Sequence, residues 1–528
     1  MAETALAPGP DAVAQRVLVG SLCAALGAQL IETHISFVLI AGLDAWKIKK
    51  SLNLGFADFS TLALRRFYCE EELRLNRRTA PQLYLGVHPV GGTAQHPVIG
   101  GPAPAIEWVL HMRAFEQDGL WDRLAARGAL GAAQIDSLVD GLCALHRDAA
   151  VAGLESRYGQ PEQVREPMSD NLRALGSLCR DADERAGLDR LRHWEAQAFG
   201  RLREVFVQRH AAGRVREAHG DLHLGNVTQI DARAVLFDCL EFSADLRWTD
   251  VFSDLAFMAM DLHSHGLPAL AHRFVNAYVE RSGDAQGLQV LRYYRVHRAL
   301  VRAKVAALRA AQLGAAAAQA ERQSMHHYLQ VALDSSHPPA PVLMLTHGFS
   351  GSGKTLATQG LLEACGAIRF RADVERKRLF GLDPLQRSDA AQQARLYSSP
   401  ADQATQQRLR ELAALVLQCG YSVILDATFL QREARDQARA LADRLGLRCA
   451  ILHFEARSET LRERVRQRAL RHDDASDADL AVLDAQLSQA QPLQDDERGQ
   501  VVVVDAEQPP ADSAPWAPLL ERLGLSPA

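Results

Sequence analysis

A run of eight residues, 348–355, has the residue types and the spacing of a loop that binds phosphate. The run reads Gly-Phe-Ser-Gly-Ser-Gly-Lys-Thr and fits the pattern G-x-x-x-x-G-K-[ST] of the P-loop. Glycines let such a loop turn tightly and point its backbone N–H groups at phosphate oxygens. Lys354 would reach the β- and γ-phosphates, and the Thr355 hydroxyl would hold Mg²⁺. We therefore predict a nucleotide-binding loop that consists of Gly348, Ser350, Gly351, Ser352, Gly353, Lys354 and Thr355.

A second group of polar residues lies between positions 219 and 238. Residues 219–226 read His-Gly-Asp-Leu-His-Leu-Gly-Asn, and Asp238 follows the short apolar run Val-Leu-Phe. An aspartate and an asparagine five residues apart, and then an aspartate after a hydrophobic strand, have the arrangement of a kinase catalytic loop. Asp221 would accept the proton of an acceptor hydroxyl, and Asn226 and Asp238 would hold Mg²⁺ against the phosphates of ATP. A polar turn between two strands is the alternative interpretation.

Lysine is rare in this chain, because only six of its 59 basic residues are lysines. A lysine in so arginine-rich a sequence indicates a site that needs a compact ammonium group. Lys47 and Lys49 lie on the second strand of a predicted hairpin, on one face by strand alternation, and Glu72 lies on the helix predicted at 61–78. A strand lysine and a glutamate on the next helix form the ion pair that positions ATP in kinase-like folds. An ordinary surface ion pair is the alternative.

Strands are predicted at about 342–347, 367–371, 421–426, 448–454 and 500–504 in the segment that contains the P-loop, and carboxylates close two of them. Asp373 follows the strand predicted at 367–371, and Arg376 lies one helical turn later. In kinases of small hydroxyl compounds, such a carboxylate takes the proton of the acceptor and the arginine steadies phosphate. A helix N-cap is the alternative role for Asp373. Asp426 ends the buried strand predicted at 421–426 and is suited to bind Mg²⁺ through water.

Arginines spaced for one helix face follow in the same segment. Arg464, Arg468 and Arg471 fall at i, i+4 and i+7, so a helix would present them as one stripe. A lid that closes on a triphosphate would relieve their mutual repulsion. A solvated helix face is the alternative. The sequence has no N-K-x-D pattern, which favours ATP over GTP as the nucleotide.

The first 330 residues resemble the aminoglycoside phosphotransferase and choline kinase family, through the segment at 219–226 and the Phe-Asp pair that follows it. More narrowly, the chain is similar to bacterial proteins in which such a domain is fused to an AAA-family P-loop domain. Residues 32–36, 46–50 and 72–78 and the P-loop carry that similarity. Residues 342–505 resemble the P-loop kinases that include gluconate, polynucleotide 5′-hydroxyl and zeta-toxin-like kinases.

The resemblance implies roles for individual residues. Lys47, or else Lys49, would contact the α- and β-phosphates, Glu72 would orient that lysine, and Asp254 would support the catalytic loop. The chain departs from the kinase pattern in two places. It has no G-x-G-x-x-G loop, although aminoglycoside kinases also lack a strict one. It reads Phe-Asp-Cys-Leu-Glu where kinases have Asp-Phe-Gly, which leaves the part of Glu241 in the metal site open.

Length and composition limit the class of protein. A chain of 528 residues should form two to four domains, and 48% hydrophobic with 23% charged residues is ordinary for a globular protein. A net charge of −5 argues against a nucleic-acid-binding surface that covers the whole molecule, and a nucleic-acid partner is not expected. The eight cysteines form no C-x-x-C pair, which fits reduced cytoplasmic thiols. No apolar run approaches the roughly 18 residues of a membrane span, and the apolar residues within 12–31 predict a helix.

We predict an α+β bilobal, protein-kinase-like domain followed by an α/β P-loop domain with a doubly wound parallel sheet. The predicted bounds are 1–333 for the first domain (small lobe about 1–110, large lobe about 111–333), 334–341 for a linker, 342–510 for the P-loop domain and 511–528 for a C-terminal tail. The predicted function is ATP- and Mg²⁺-dependent phosphoryl transfer by both modules to hydroxyl groups of small-molecule acceptors, in the cytoplasm and without membrane contact. A regulator that binds ATP to change shape is the alternative. The sequence indicates neither the acceptor nor the oligomeric state.

Overall fold

Two groups of residues make most of their contacts internally in the computed structural model of this chain. The first unit comprises residues 1–171 and 203–261, and the second comprises 172–202 and 262–528. The structure describes residues 10–55, 57–384, 386, 388–471, 475–507 and 516–525.

The first unit contains a six-stranded antiparallel sheet with the strand order β1-β2-β3-β6-β4-β5. The strands are β1 (Gln29–Glu32), β2 (Ser36–Ala41), β3 (Asp44–Lys49), β4 (Tyr84–Gly92), β5 (Pro97–Ile99) and β6 (Glu107–Arg113). Ile48 of β3 packs in the cluster formed with α1 (Pro10–Leu26). Ala45 packs in the cluster formed with α2 (Leu62–Asn76) on the other face. Because side chains alternate along a strand, the two lysines of β3 share the α2 face.

Local sequence signals set the beginning of α2 and the end of α1. Helix α2 begins after Thr61, whose hydroxyl accepts a hydrogen bond from the Leu64 N–H. The helix predicted within 12–31 is wrong at its C-terminal end, because α1 stops at Leu26 and residues 29–32 form β1 against β2. Gly27, with φ of 60°, makes the turn between them.

The remaining elements of the first unit hold the polar loops. They are α3 (Trp121–Ala126), α4 (Ala132–Asp148), β7 (Val215–Glu217), β8 (Val227–Ile230), β9 (Arg233–Leu236), α7 (Ala244–Arg247) and β10 (Trp248–Asp250). Strands β7 and β10 pair antiparallel, as do β8 and β9. Residues 219–226 therefore lie between β7 and β8, and Asp238 follows β9. Helices α5 (Pro161–Leu178), α6 (Ala182–Ala211) and α8 (Val251–Ser264) contribute residues to both units.

The second unit contains a five-stranded parallel sheet with the order β12-β13-β11-β14-β15. Its strands are β11 (Val342–His347), β12 (Ile368–Arg371), β13 (Val423–Asp426), β14 (Arg448–Glu455) and β15 (Val501–Asp505), close to the predicted positions. The chain crosses from one side of β11 to the other, so the strand order reverses there. In doubly wound sheets, ligands bind beyond the carboxyl ends of the strands at this reversal. The P-loop follows β11 and lies at that position.

Helices complete the second unit. They are α9 (Pro268–Ser282), α10 (Leu288–Gln312), α11 (Ala315–Ser336), α12 (Lys354–Cys365), α13 (Ala372–Leu379), α14 (Ala390–Leu396), α15 (Ser399–Gln418), α16 (Arg432–Arg444), α17 (Ser458–Arg471), α18 (Leu480–Gln489) and α19 (Ala517–Leu523). Among the helices of the described residues, none is both long and apolar enough to cross a bilayer.

The two contact units do not coincide with the predicted domains. Helices α9 to α11 group with the P-loop sheet, and α11 runs to Ser336, into the predicted linker at 334–341. The predicted tail at 511–528 includes α19, whose leucines pack in the core of the P-loop sheet, while 511–515 and 526–528 lie outside the described residues. The domain bounds deduced from the sequence remain a prediction.

Candidate active sites

In the first unit, β3 and α2 bring a lysine, a glutamate and an aspartate together. The Lys47 Nζ lies 2.7 Å from Glu72 Oε1 and 2.7 Å from Asp238 Oδ1. Glu72 is fully buried, whereas 12% of the Lys47 side chain is exposed. Three residues predicted from separate segments thus meet at one ammonium group.

Lys49 lies deeper on the same face. It donates hydrogen bonds to the other oxygen of Glu72, Oε2, and to Glu241 Oε1, and its side chain is fully buried. Two carboxylates therefore enclose the Lys49 ammonium group. One of them is Glu241, whose role the sequence left open and which is an ion-pair partner of Lys49. This geometry favours Lys47 over Lys49 as the lysine that reaches phosphate.

Electrostatics keep Lys47 and its aspartate ionised. Burial alone would raise the pKa of Asp238, but the charge and hydrogen bond of Lys47, together with the charges of Lys49 and His219, outweigh it and lower the pKa to about 2. Burial would lower the pKa of Lys47, but Asp238 and Glu72 raise it well above its usual value. Asp238 has φ of 60°, and its N–H donates to the Tyr84 hydroxyl at 3.1 Å, which fixes this turn.

The loop at 219–226 presents the predicted base. The Asn226 Nδ2 donates to the Asp221 carbonyl at 2.9 Å and to Asp221 Oδ2 at 3.3 Å. The Asp221 side chain is 36% exposed, so an acceptor can reach it. Gly220 has φ of 84°, and a Cβ there would lie 3.1 Å from the Arg247 Cα, so glycine is required.

Helix α8 holds this loop through two carboxylates. Asp254 accepts from the N–H of His219 at 2.8 Å and from the N–H of Gly220 at 2.9 Å. Asp261, two turns later on α8, accepts from the Leu224 N–H at 2.9 Å. Asp261 was not predicted from the sequence. Its spacing of seven residues from Asp254, on one helix face, is the signal that could have found it.

In the second unit, the P-loop joins β11 to α12. The Lys354 Nζ donates to the carbonyls of Gly348 at 3.0 Å and Phe349 at 2.7 Å and to Ser352 Oγ at 3.3 Å. Gly351 has φ of 85°, and a Cβ there would lie 2.8 Å from the Leu461 carbonyl oxygen. The loop therefore depends on glycine for its path.

The end of β13 faces the first residues of α12. The Thr355 hydroxyl donates to Asp426 Oδ2 at 2.7 Å. A hydroxyl and a carboxylate this close are hard oxygen ligands of the type that Mg²⁺ uses with nucleotide phosphates, so the residues fit the ion that the motif implies. Burial lowers the pKa of Lys354 to about 8, with Asp426 and Asp373 acting in the opposite direction.

A cavity of about 1130 Å³ opens at this loop and brings most of the predicted residues of the second unit together. The predicted residues that line it are Ser350, Gly351, Gly353, Lys354, Thr355, Asp373, Arg376, Asp426, Arg464 and Arg468. Gly348 and Ser352 contact Lys354 instead. Typical ligand pockets measure roughly 300–1,000 Å³, so this cavity has room for a nucleotide and a second small molecule.

Helix α13 carries the predicted base of this cavity. Arg371 occupies the N-cap position and Asp373 lies in the first turn, so the alternative role of Asp373 as N-cap does not apply. The Arg376 guanidinium lies 3.8 Å from Asp373 Oδ1 and 2.6 Å from Asp402 Oδ1. Arg376 therefore ties α13 to the beginning of α15 beside the predicted base.

Two of the three arginines predicted to share one face of α17, Arg464 and Arg468, line the cavity. Arg464 donates to the Ala506 carbonyl at 2.8 Å, and Arg468 donates to the Ala478 carbonyl at 2.7 Å. The side chain of Arg471 lies outside the described residues. Gln486 of α18 exchanges hydrogen bonds with the N–H and the hydroxyl of Ser350, at 2.9 and 3.1 Å. No sequence pattern singles out Gln486.

Comparisons with known proteins give one family model and a set of relatives. A family model described as an AAA domain matches residues 343–493. Uncharacterized proteins of Mycobacterium tuberculosis (strain H37Rv) and Mycobacterium bovis are each 31% identical to this chain over 454 residues, which is 84% of this chain and 87% of theirs.

Solved structures match parts of the chain. A sugar kinase from Janibacter covers 35% of this chain and 96% of its own, with 21% identity and a TM-score of 0.26. A choline/ethanolamine kinase family protein from Mesorhizobium loti covers 60% and 99%, with 14% identity and a TM-score of 0.34. A choline kinase from Cryptosporidium parvum covers 60% and 95%, with 12% identity and a TM-score of 0.37.

Proposed function

This chain belongs to the same family as these mycobacterial proteins, and we propose that it is an ATP-dependent phosphotransferase with two nucleotide-binding modules, because it carries two separate groups of residues suited to bind phosphate. Each module transfers the γ-phosphate of ATP to a hydroxyl group of a small-molecule acceptor. The observation that carries the proposal is the proximity, in each unit, of a partly shielded lysine to an aspartate suited to a metal ion. Lys47 contacts Asp238 directly in the first unit. In the second unit Thr355, the residue after Lys354, donates a hydrogen bond to Asp426.

In the first module, Lys47 binds the α- and β-phosphates and Glu72 holds its ammonium group. Asn226 and Asp238 hold Mg²⁺, and Asp221 accepts the proton of the acceptor hydroxyl as the oxygen attacks the γ-phosphorus. A positioned base of this kind contributes roughly 10²–10⁴-fold to the rate. The hydrogen bonds from Asn226 to Asp221 support this assignment, because they fix the base beside the predicted metal ligands.

In the second module, the backbone of the P-loop and Lys354 bind the phosphates of ATP. Thr355 and Asp426 hold Mg²⁺, Arg464 and Arg468 neutralise charge on the transferred group, and Asp373 is the base with Arg376 beside it. Transfer of a phosphoryl group needs little covalent chemistry from a protein, so positioning and charge neutralisation supply most of the catalysis.

The test is formation of ADP by the full chain, with and without an extract of pooled metabolites. Wild type is compared with Asp221→Asn in a Lys354→Ala background and with Asp373→Asn in a Lys47→Ala background. We expect the extract to stimulate turnover and each aspartate substitution to remove the stimulation that its background retains. Turnover that no extract stimulates would favour the alternative, a regulator that hydrolyses ATP to change shape.

A further inference from the structure

The cavity at the P-loop continues past the predicted base along one face of α15. The residues of α15 that line it fall at i, i+3, i+4, i+7, i+8 and i+11, which places them on one side of the helix: Ser399, Asp402, Gln403, Gln406, Gln407 and Arg410. Gln437 and Glu433 of α16 also line this part of the cavity. Apart from Ala434, these lining residues of α15 and α16 are polar. A lining of amides, hydroxyl and charged groups suits a ligand rich in hydroxyl groups and disfavours an apolar one.

Arg410 differs from the other arginines of the cavity. Among the described residues, Arg371 and Arg376 have a carboxylate within 4 Å, and Arg464 and Arg468 donate to backbone carbonyls. The Nη1 of Arg410 is buried and has no hydrogen-bond partner in the part of the chain that the structure describes. The Nε of Arg376 is likewise buried without a partner, but its Nη2 is bonded to Asp402. Burial lowers the pKa of Arg410, and Glu411 and Glu433 oppose this from beyond ion-pair distance. A buried guanidinium donor without an acceptor is unfavourable unless a ligand supplies one.

The position of Arg410 separates it from the phosphates of the nucleotide. Asp402, at the beginning of α15, bonds Arg376 beside Asp373. Arg410 lies eight residues further along α15, which corresponds to about 12 Å at the rise of an α-helix. A molecule that presents a hydroxyl to Asp373 would extend along this wall toward Arg410. An anionic group at that far end is also kept away from the negative charge of the γ-phosphate.

We infer that the acceptor of the P-loop module is a small polyhydroxyl anion, whose carboxylate or phosphate monoester binds Arg410 and whose hydroxyl groups bind the polar side chains of α15. Arg410 is then the residue that selects anionic over neutral polyols. This inference rests on the proposed function of the P-loop module and names the class of its acceptor.

Direct binding to the full chain tests the inference without turnover. The probes are three six-carbon compounds of one skeleton: glucitol, gluconate and glucitol 6-phosphate. Calorimetry is done with Mg²⁺ and a non-hydrolysable ATP analogue present, on wild type, Arg410→Gln and Arg408→Gln. Arg408 is the matched control, because it lies on the same helix and faces Glu375 at 3.4 Å rather than the cavity.

We expect wild type to bind one of the two anions at least about tenfold more tightly than glucitol, as a charge-assisted hydrogen bond allows. Gluconate and glucitol 6-phosphate distinguish a carboxylate from a phosphate monoester. Arg410→Gln should abolish the preference and leave the affinity for the ATP analogue unchanged, while Arg408→Gln should keep the preference. Equal binding of all three probes, no binding of either anion, or weaker binding of the ATP analogue by Arg410→Gln would overturn the inference.

Turnover separates this inference from the proposed function. If, in a Lys47→Ala background, an anion binds through Arg410 but no ADP forms, the phosphotransferase proposal fails for the P-loop module and the anion site stands. If glucitol is phosphorylated at a rate that Arg410→Gln does not change, the phosphotransferase proposal stands and the anion site fails.

Discussion

At the scale of single residues, Lys47 and Lys49 bond different oxygens of the same glutamate, Glu72, and their other partners suggest different roles. Lys49 satisfies Glu72 Oε2 and Glu241 in the interior. Glu72 Oε1 is left to hold Lys47, which also contacts Asp238. Lys49 therefore contributes to the stability of the fold, and Lys47 is the lysine available to a nucleotide.

Lys49→Met should destabilise the protein by about 3–5 kcal/mol, because it leaves the buried carboxylate of Glu241 without its cation and leaves Glu72 with Lys47 alone. Denaturant unfolding monitored by fluorescence measures the change. The double variant Lys49→Met/Glu241→Gln should recover part of the loss, since it removes the unpaired charge of Glu241. A Lys49→Met protein as stable as wild type would contradict the division of tasks.

The two candidate phosphate-binding lysines should respond differently to pH. The pKa of Lys354 is lowered to about 8, so the free protein loses the ammonium charge above that pH. The pKa of Lys47 is raised well above its usual value, so that charge persists. In a Lys47→Ala background, affinity for an ATP analogue should fall by up to roughly tenfold per pH unit above about pH 8.

In a Lys354→Ala background, the affinity should stay level from about pH 7 to about pH 9.5. Equilibrium dialysis of both single variants over this range makes the comparison. Parallel pH profiles would contradict the different environments of the two lysines.

Sequence patterns predict residues better when a motif fixes their spacing than when the fold brings them together. Lys354 and Thr355 follow from one local motif, and the contact of Thr355 with Asp426 follows from a strand-end carboxylate. Gln486 lies 136 residues from Ser350 in sequence, and nothing in its neighbourhood marks it. The lack of a partner for Arg410 Nη1 results from tertiary packing. In a sequence with many arginines, no local pattern distinguishes this one.

At the scale of elements, the loop at 219–226 is positioned from α8 rather than from the strands beside it. Both carboxylate oxygens of Asp254 are bound to backbone N–H groups of the loop. Asp254 is fully buried, so water cannot replace those bonds. The position of the predicted base therefore depends on a side chain more than thirty residues away.

Asp254→Ala should lower the free energy of unfolding by about 2–4 kcal/mol and speed hydrogen exchange of the His219 and Gly220 amides. The cause is that two buried N–H groups lose their acceptor. Asp245→Ala is the control, because Asp245 forms an exposed ion pair with Arg157 and its loss should change stability by less than about 0.5 kcal/mol. Unchanged exchange at His219 and Gly220 in Asp254→Ala would show that other contacts hold the loop.

Regular elements were predictable where periodicity and length agree. The strands of the P-loop sheet are short, apolar and separated by helices, and the predicted positions match within a few residues. The first helix was predicted too long, because an apolar run does not reveal that Gly27 reverses the chain into β1. The contacts of α9 to α11 depend on tertiary packing, which a proline-rich stretch at 338–341 does not predict.

At the scale of the whole molecule, the two groups of candidate phosphate-binding residues lie in different contact units. The residues of each group come from one unit. Lys47, Asp221 and Asp238 belong to the first unit, and Lys354 and Asp426 belong to the second. Two modules that each carry a lysine, a candidate base and candidate metal ligands should bind nucleotide independently.

The most direct test of this account is the number of ATP analogue molecules bound per chain. Equilibrium dialysis with Mg²⁺ and a saturating non-hydrolysable analogue measures it for wild type, Lys47→Ala, Lys354→Ala and the double variant, after thermal unfolding has shown that each is folded. We predict two molecules bound to wild type, one to each single variant and none to the double variant. A single molecule bound to wild type, or a single substitution that removes both, would contradict the central claim of two independent sites.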